Sequence, residues 1–384
     1  MVHNFYQIGG GEHTVFENEV KLLREHGHEV YTYTRSNDEL KTSKAKLLLL
    51  PLSTIWSMGT YHQIRKQIRE KQIDVVHCHN TFPLISPAVY YGARSLKVPV
   101  IQTIHNFRLL CPNGIFYCHG KVCEQCSAQG HFRMALKNKC YRNSRLQTLV
   151  VVAMLTIHRW LGTYGKIQYI FLTEFNKQKF ARLLDITGEN VFVKPNYVSA
   201  MGHEPVEPEA KTKFVFAGRL ECNKGIDFLL ETWPVLPEAW ELHIYGEGSL
   251  RSSCEQAARK HTNIHYYGFQ SQNRVFADLA GAQALLFPSD WYEGYPMILA
   301  ESMAMRIPVV ATDCGNHGDL IRSSGGGTVF RCRDVDSFRQ AMAEIIKNRP
   351  RFSAGACQYY QTHLTPEKNY EKLCEIYEKA RHIP

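Results

Sequence analysis

The sequence of 384 residues lacks any long hydrophobic run. Its longest apolar stretch, Leu149–Ile157, reaches Leu161 only by including His158 and Arg159, whereas a membrane-spanning helix needs about 20 apolar residues. No basic region followed by an apolar stretch opens the chain, so we expect no secretory signal peptide. Twelve cysteines in such a chain favour a reducing compartment. We therefore expect a cytoplasmic protein.

Low-complexity segments and internal repeats are also lacking, which excludes disordered and solenoid classes. Hydrophobic residues (44%) and charged residues (21%) are close to globular averages. The net charge of +9 comes from one half of the chain: residues 1–195 hold 25 basic and 13 acidic residues, and the remainder holds 20 and 23. Such a cationic half can attract phosphates, anionic membranes or nucleic acid, or it can be an ordinary solvated surface.

Short β-branched runs alternate with amphipathic helices along most of the chain. In the first half we predict strands at Asp74–Cys78, Val98–Thr103, Tyr169–Leu172 and Val191–Lys194, with helices at Pro83–Ser95 and Glu174–Leu184. In the second half we predict strands at Phe214–Ala217, Glu241–Tyr245, Ile264–Tyr267, Ala284–Phe287, Pro308–Ala311 and Thr328–Phe330, with helices at Gly225–Glu231 and Pro296–Met305. This alternation predicts an α/β fold of parallel sheets, with ligands at the carboxyl ends of the strands.

The length of the chain suits two domains better than one core. Residues 201–212 are acidic, contain proline and show no periodicity, which is typical of a linker. We predict an N-terminal domain over 1–195, with a cysteine-rich insertion at 108–145, and a C-terminal domain over 196–364. A last helix within 365–384 has one apolar face and could cross back to the N-terminal domain.

The strand at Phe214–Ala217 ends in Gly218-Arg219, and Lys224-Gly225 follows. A strand end that precedes a helix is a favourable place for a diphosphate, because backbone N–H groups and the helix dipole attract the anion. Arg219 can bind phosphate oxygens bidentately and Lys224 adds a point charge. The alternative is a surface arginine and a capping lysine.

Two glutamates lie close to the start of the helix that is predicted to begin at Pro296. Glu293 lies in the loop before it and Glu301 lies inside it. At about 1.5 Å per residue, eight helical residues span roughly 12 Å, so the two carboxylates are too far apart for a close acid/base pair. They can bind hydroxyl groups at two ends of one extended ligand, or they can be ordinary helix residues favoured by the dipole.

Taken together, these segments resemble the C-terminal half of the family 4 glycosyltransferases, which are retaining enzymes of the GT-B fold. The resemblance is carried by order and spacing more than by any single motif. The matching segments are Gly218-Arg219-Leu220, Lys224-Gly225-Ile226-Asp227, Ile244-Tyr-Gly-Glu-Gly248, Tyr267-Gly268-Phe269, Glu293-Gly-Tyr-Pro-Met-Ile-Leu-Ala-Glu301-Ser-Met-Ala304 and Pro308-Val-Val-Ala-Thr312.

The resemblance implies two doubly wound, Rossmann-like domains that face each other across a cleft, with a nucleotide-sugar donor held by the second. Arg219 and Lys224 would bind its diphosphate, Glu293 the sugar hydroxyls and Glu301 the ribose. The implied donor-binding set also includes the backbone or side chains of Gly268, Gly294, Tyr295, Pro296 and Met297.

In the first half, Gly9-Gly10-Gly11-Glu12 resembles the glycine loop of the family, where Gly10 and Gly11 would let the backbone approach the donor. His105 ends a strand where the family places a histidine near the transferred sugar. His79 and Asn106 would lie on the acceptor side. Either histidine could instead be a hydrogen-bonded strand-end residue. Only Met1 and Val2 precede His3-Asn4-Phe5-Tyr6, so the first strand is short or the start is truncated.

Five cysteines fall within thirty residues: Cys111, Cys118, Cys123, Cys126 and Cys140. Cys123-x2-Cys126 has the spacing of zinc ligands, and Cys111 and Cys140 could complete a four-thiolate structural site, with Cys118 or His119 as substitutes. The alternative is a set of buried free thiols. Some members of the family carry a similar insertion.

Basic residues follow the same cysteines: Arg133, Lys137, Lys139, Arg142 and Arg145. The apolar run Leu149–Ile157 comes directly after them. A basic segment beside an apolar helix can dock on an anionic bilayer. We therefore hypothesise peripheral contact with the inner face of the membrane, which would give access to a lipid-linked or glycolipid acceptor.

We predict a retaining hexosyltransferase that moves a sugar from a UDP- or GDP-sugar to a saccharide, glycolipid or lipid-linked acceptor in bacterial surface polysaccharide or glycolipid assembly. Its catalytic set would be His105, Arg219, Lys224 and Glu293. No close carboxylate pair suggests glycosidase-type double displacement, and no Asp-x-Asp triplet obviously presents a divalent ion, so no catalytic cofactor is expected. The alternatives are an epimerase or hydrolase of the same fold, and a non-catalytic, zinc-stabilised binding module; nucleic acid is not expected as a partner.

Overall fold

The computed structural model describes residues 1–7, 10–41, 44–199 and 212–382. The chain divides into two compact units. The first comprises Met1–Cys118, Cys123–Pro195 and Asn369–Pro384, and the second comprises His119–Val122 and Asn196–Lys368. The linker predicted at 201–212 lies outside the described residues, apart from Thr212, where a strand begins.

Strands and helices alternate in both units, as the spacing of apolar residues predicts. The strands are β1 (Val2–Phe5), β2 (Tyr33–Ser36), β3 (Val76–Asn80), β4 (Val100–Ile104), β5 (Tyr117–Cys118), β6 (Lys121–Val122), β7 (Gln168–Phe171), β8 (Val191–Val193), β9 (Thr212–Ala217), β10 (Trp240–Tyr245), β11 (Ile264–Tyr266), β12 (Ala284–Phe287), β13 (Val309–Thr312) and β14 (Gly327–Phe330). The α-helices are α1 (Gly11–Glu25), α2 (Lys44–Ile55), α3 (Met58–Lys71), α4 (Ala88–Arg94), α5 (Gln125–Gln129), α6 (Arg133–Lys137), α7 (Arg145–Trp160), α8 (Glu174–Lys179), α9 (Ile226–Thr232), α10 (Arg251–Lys260), α11 (Gln272–Ala280), α12 (Met297–Ala304), α13 (Gly315–Ser324), α14 (Val335–Tyr359) and α15 (Pro366–His382).

Each unit is built on one six-stranded sheet. The strand order is β2-β1-β3-β4-β7-β8 in the first unit and β11-β10-β9-β12-β13-β14 in the second. Every pairing described within these sheets is parallel. The central strands β3, β4 and β7 are buried along their whole length, because helices cover both faces of a parallel sheet. The predicted doubly wound α/β architecture is therefore confirmed.

The core of the second unit lies on both sides of its sheet. Phe214 and Phe216 of β9 pack with Trp233 on one side, and Val215 between them packs with Leu299 and Phe276 on the other. This division follows from the two-residue period of a strand, which sends successive side chains to opposite faces. The sheet therefore holds the carboxyl ends of its strands, and the loops that follow them, on a rigid support.

Two of the predicted helices are shorter than expected. The helix predicted from Pro83 begins only at Ala88, because Ser86 has a positive φ of 62° and Pro87 supplies no amide N–H. The helix predicted over Glu174–Leu184 ends at Lys179. The chain turns inward there, and the ring of Phe180 packs against Phe171 with centroids 4.9 Å apart.

The last helix, α15, contributes its apolar face to the first unit. Leu373, Ile376 and Ala380 are fully buried in one cluster with Ile101 of β4 and Ile170 of β7. The apolar face was evident in the sequence, but the surface that it covers is a result of the tertiary structure.

Candidate active site

The loop after β9 brings Lys224 to the segment that follows β12. Gly225 has a φ of 71°, and a Cβ atom there would lie 2.1 Å from the carbonyl oxygen of Pro288. Only glycine tolerates both the left-handed backbone and this close approach. The glycine therefore fixes Lys224 beside the loop that carries Ser289, Trp291 and Glu293.

Three donors converge on one oxygen of the Glu293 carboxylate. Its Oε1 atom lies 2.6 Å from Lys224 Nζ, 2.7 Å from Ser289 Oγ and 2.7 Å from Trp291 Nε1. Burial by itself raises the pKa of this carboxyl group, but the Lys224 ammonium and the hydrogen bonds hold the pKa below its usual value. Glu293 is therefore a charged and rigidly held carboxylate at neutral pH.

Arg219 differs from Lys224 in its surroundings. It follows β9 by two residues and is exposed. Within the described ranges of the chain, no carboxylate forms an ion pair with it. Gly246 lies next to this strand end, and a Cβ atom there would lie 1.8 Å from the carbonyl oxygen of Gly218. The ends of β9 and β10 therefore meet closely just before Arg219.

The loop that carries Glu293 is supported by Asn316 and His317, which lie in α13 after β13. Neither residue was predicted from the sequence. Asn316 Nδ2 donates to the carbonyl oxygen of Gly294 at 2.9 Å. His317 Nε2 lies 3.1 Å from the Ser289 carbonyl oxygen, and burial lowers the pKa of His317 to about 4. Their position directly after a predicted strand of a parallel sheet was the available signal.

Glu301 has different neighbours from Glu293. It lies in α12, and its Oε1 atom accepts a hydrogen bond from Gln272 Nε2 at 2.9 Å. Burial raises the pKa of Glu301 to about 7. Pro296 is the residue that caps this helix, and Met297 is its first residue. Glu293 and Glu301 thus have separate partners and do not form a hydrogen-bonded acid/base pair.

The other predicted donor-binding residues of the second unit lie in loops at strand ends. Gly294 and Tyr295 are half-buried beside Glu293, and burial holds the pKa of Tyr295 well above its usual value. Gly268 follows β11 with a φ of 69°, and its carbonyl oxygen accepts from the Gly246 N–H at 2.9 Å. Arg219, Lys224, Gly268, Glu293 and the start of α12 therefore all belong to the loop edge of one sheet.

In the first unit, the glycine loop leads into α1. Gly9 lies outside the described residues, Gly10 caps the helix, and Gly11 is its first residue. The carboxylate of Glu12 accepts hydrogen bonds from Asn80 Nδ2 at 3.2 Å and from Asn106 Nδ2 at 3.4 Å. Burial raises the pKa of Glu12 to about 7, against the opposing charge of Arg108.

His79 lies in β3 and His105 directly follows β4. Their side chains are in direct contact. His79 Nδ1 lies 3.0 Å from His105 Nε2. The side chain of His79 is fully buried, whereas His105 is half-buried at the wall of a cavity that Asn106 and Arg108 also line. Burial, together with neighbouring His79, holds the pKa of His105 well below its usual value. His105 is therefore a neutral imidazole at neutral pH.

The five clustered cysteines line one small, enclosed cavity: Cys111, Cys118, Cys123, Cys126 and Cys140. The Cys111 thiol donates to Asn113 Oδ1 at 2.9 Å. Burial raises the pKa of Cys126 to about 11 and that of Cys140 to about 12. Such thiols are poor nucleophiles.

An Asp-x-Asp triplet does occur, at Asp334-Val335-Asp336, where α14 begins. Asp334 Oδ1 accepts from the Ser337 N–H at 2.8 Å, as a helix cap does. Its other oxygen is paired with Arg331, and Asp336 is paired with Arg339. The triplet therefore performs a helix-capping role in this structure.

Helices α2 and α7 pack together and expose an unusual amount of apolar surface. Leu48 is 81% exposed and Trp160 is 84% exposed, and Leu52, Leu146 and Leu149 are exposed as well. Within the described part of the chain, no helix has the length and apolarity needed to cross a bilayer.

Comparisons with known proteins concern the family and the fold of the chain. The family model described as Glycosyltransferase Family 4 matches residues 8–198, and that described as Glycosyl transferases group 1 matches residues 211–348. A lipopolysaccharide 1,6-galactosyltransferase of Salmonella typhimurium is 26% identical over 198 residues, which are 50% of this chain and 55% of that protein. The chain therefore spans about half the length of this curated relative.

Solved structures match over nearly the full chain. The lipopolysaccharide outer core galactosyltransferase WaaB has a TM-score of 0.65 at 18% identity, with 98% of this chain and 99% of that one covered. Alr3699/HepE of Anabaena, solved in complex with UDP, has a TM-score of 0.65 at 13% identity with the same coverage. At these identities the likeness concerns the fold, which is GT-B. With the two family models matching successive halves, the chain belongs to the family 4 glycosyltransferases.

Proposed function

We propose that the protein is a retaining glycosyltransferase that uses a nucleotide-diphosphate sugar. The observation that carries the proposal is the contact of Lys224 with Glu293, 2.6 Å long, in a loop that follows a parallel strand. This pair places a cation and a fixed carboxylate side by side. A cation can bind a phosphate, and a carboxylate can accept a hydrogen bond from an adjacent sugar hydroxyl.

In the proposed donor site, Arg219 and Lys224 bind the diphosphate and the N-terminus of α12 faces it. Because all three hydrogen bonds to Glu293 fall on Oε1, its Oε2 atom is the one that we assign to sugar hydroxyls. Glu301 binds the ribose, and the backbone of Gly10, Gly11, Gly268 and Gly294 approaches the ligand. His105 lies at the transferred sugar, with Asn106 on the acceptor side.

The chemistry that we propose depends on charge placed before the reaction begins. As the glycosidic bond breaks, negative charge develops on the leaving diphosphate, and Arg219 and Lys224 stabilise it without reorganising. The sugar is transferred with retention of its anomeric configuration. The residues of the site supply binding and electrostatic stabilisation, and the proposal includes no catalytic metal.

For the donor, we propose a UDP- or GDP-sugar, since a structural neighbour was solved with UDP. For the acceptor, we propose a saccharide, glycolipid or lipid-linked glycan in surface polysaccharide assembly, since the relative from Salmonella is described as a lipopolysaccharide galactosyltransferase. A product assay separates this activity from epimerisation, which needs no acceptor.

A thermal-shift screen with UDP, GDP and ADP tests the donor site. We expect one of the three, at 100 times its Kd, to stabilise the protein by about 2.7 kcal/mol, because the ligand binds only the folded state. Arg219→Ala should abolish most of the shift, while Lys260→Ala, a change of an exposed residue in α10 of the same unit, should keep it. Equal shifts in both variants would remove Arg219 from the donor site, and no shift with any nucleotide would contradict the proposed function.

We also propose a structural zinc ion held by Cys111, Cys123, Cys126 and Cys140. These thiols line a common cavity, and Cys123-x2-Cys126 has the spacing of a zinc-binding pair. They fit the ion in kind and number, since four thiolates make a closed tetrahedral site. No three of them lie within 4.8 Å of one another in the described part of the chain, so the side chains would have to draw together. The ion would organise the insertion and take no part in the chemistry.

Finally, we propose that the surface formed by α2 and α7 contacts an anionic bilayer at the inner face of the membrane. Exposed leucines and Trp160 supply the apolar contact, and the exposed Lys139, Arg142 and Arg145 stand at the start of α7. Each basic residue near an anionic surface contributes about 1 kcal/mol of attraction to the bilayer. Buried apolar area adds to this attraction, so both would strengthen binding.

Vesicle binding tests this surface. Replacing Lys139, Arg142 and Arg145 with glutamate should weaken binding to phosphatidylglycerol vesicles at least about 100-fold, since roughly 3 kcal/mol of attraction is lost. The control variant Arg94→Glu/Lys97→Glu changes exposed basic residues at the end of α4 in the same unit and should bind almost as the wild type does. Equal recovery of both variants, or equal binding to neutral phosphatidylcholine vesicles, would rule out the electrostatic contact.

A further inference from the structure

A buried chain of polar side chains connects the last helix to His105. It begins at Asn369 of α15, whose Oδ1 atom accepts from Lys194 Nζ at 3.2 Å. The same ammonium lies 2.6 Å from Glu19 Oε1. The side chains of Lys194 and Glu19 are each 1% exposed. A buried ion pair costs much desolvation free energy and often adds little net stability, which is compatible with a role other than stabilising the fold.

The second oxygen of Glu19 faces the histidines. Glu19 Oε2 lies 3.3 Å from His79 Nε2, which is a close charge contact rather than a well-aligned hydrogen bond, and within the described residues neither atom has a hydrogen-bond partner. His79 Nδ1 in turn lies 3.0 Å from His105 Nε2, with the two ring planes only 21° apart. The two nitrogens meet the distance and angle that an N–H···N hydrogen bond requires.

The charge of Glu19 determines which atoms donate and which accept along this row of polar side chains. Burial would raise its pKa, but Lys194 and the neighbouring histidines hold the pKa of Glu19 well below its usual value, so the group is a carboxylate. A carboxylate only accepts hydrogen bonds. A neutral His79 places its N–H at Nε2, facing this oxygen, and leaves Nδ1 as an acceptor; this neutral form is part of the proposal. His105 must consequently donate from Nε2.

We propose that Glu19 and His79 are positioning residues that hold His105 in its Nε2–H tautomer and leave His105 Nδ1 as a hydrogen-bond acceptor for a hydroxyl group of the sugar. This inference rests on the proposed function for the identity of the ligand. It explains why a buried carboxylate lies under a neutral histidine, since the tautomer of a neutral imidazole is set by the partner of its other nitrogen. An acceptor at His105 would bind a sugar hydroxyl and would discriminate against a deoxy or O-alkylated sugar at that position.

Nitrogen NMR on protein labelled with ¹⁵N-histidine tests the direction of the chain without any substrate. We expect a coupling across the hydrogen bond between His105 Nε2 and His79 Nδ1, with the proton covalently bound to His105. His105→Gln and His79→Leu should each remove this correlation and thereby assign it. His62→Gln, a change of an exposed residue in α3 of the same unit, should leave it intact. A proton bound to His79 Nδ1, or no coupling in the folded wild type, would overturn the proposal.

The carboxylate is tested by the paired variant Glu19→Gln/Lys194→Met, which leaves no unpaired buried charge. An amide at residue 19 can donate as well as accept, so the proton should no longer reside on His105 alone. A proton that stays fully on His105 in this variant would show that Glu19 does not set the tautomer. Nucleotide binding by the second unit is measured separately: a lost tautomer with intact binding refutes only this inference, whereas absent binding refutes the proposed function.

Discussion

Arg219→Ala is expected to lower kcat/KM for sugar transfer by about 10²–10³, which is the loss seen when one pre-placed charge or donor is removed from a developing anion. The residue is exposed, and no carboxylate of the described residues depends on it for an ion pair. Its removal should therefore leave the thermal midpoint almost unchanged. Initial rates of nucleoside diphosphate release at varied donor concentration measure the effect.

Lys224→Ala should cause a similar loss of transfer and, in addition, a loss of stability. Its ammonium is the cation that is paired with buried Glu293, and a buried charge without its partner costs up to about 3–5 kcal/mol. The double variant Lys224→Ala/Glu293→Gln should recover much of the stability but none of the transfer. Lys260→Ala is the matched control, with both properties unchanged. Near-normal transfer by folded Arg219→Ala and Lys224→Ala proteins would contradict the donor-site assignment.

Cys123→Ser/Cys126→Ser is expected to abolish zinc binding and to lower the thermal midpoint by roughly 8–16 °C. An ion held at about 1,000 times its Kd contributes about 4 kcal/mol, and 1 kcal/mol corresponds to about 2–4 °C in a unit of this size. Elemental analysis of protein from zinc-supplied cells and a thermal scan with and without chelator measure the two effects. The wild type should carry one zinc per chain.

Two further cysteine variants control this experiment. Cys118→Ser changes a thiol of the same cavity that we do not assign to the ion, so it should retain zinc. Cys222→Ser changes an exposed cysteine of the second unit and should alter neither property. A wild-type content below about 0.2 zinc per chain would contradict the proposal, because structural zinc binds too tightly to be lost during purification.

The residues that we propose for the donor site could be predicted because they lie in short segments where a strand ends and a helix begins. Such segments can be recognised in a sequence. Glycine at residue 225 and the spacing from Lys224 to Glu293 follow from strand, loop and helix succession in a parallel sheet. The supports of Glu293 were harder to predict. Ser289 and Trp291 lie in its own loop, but Asn316 and His317 come from the end of another strand, and their contact depends on the order of strands in the sheet.

One member of the buried row of polar side chains behind His105 could also have been predicted from the sequence. Glu19 lies on the same face of α1 as Val15, Phe16 and Leu23, which are buried, so helical periodicity alone marks it as a carboxylate inside the core. Its cation, Lys194, is 175 residues away in sequence. No local pattern pairs two such residues, because the pairing arises only when β8 joins the sheet.

The sequence by itself thus determined the α/β class, the loops at strand ends and the chemical types of the residues that we propose for the donor site, because these depend on periodicities of 2 and 3.6 residues and on short spacings. Only the tertiary structure decided which strands are neighbours, where the face of α15 is buried, that α2 joins α7 in one apolar surface, and that Glu19 lies against His79. These features depend on contacts between residues far apart in the chain, whose free energy is gained only when the whole unit packs.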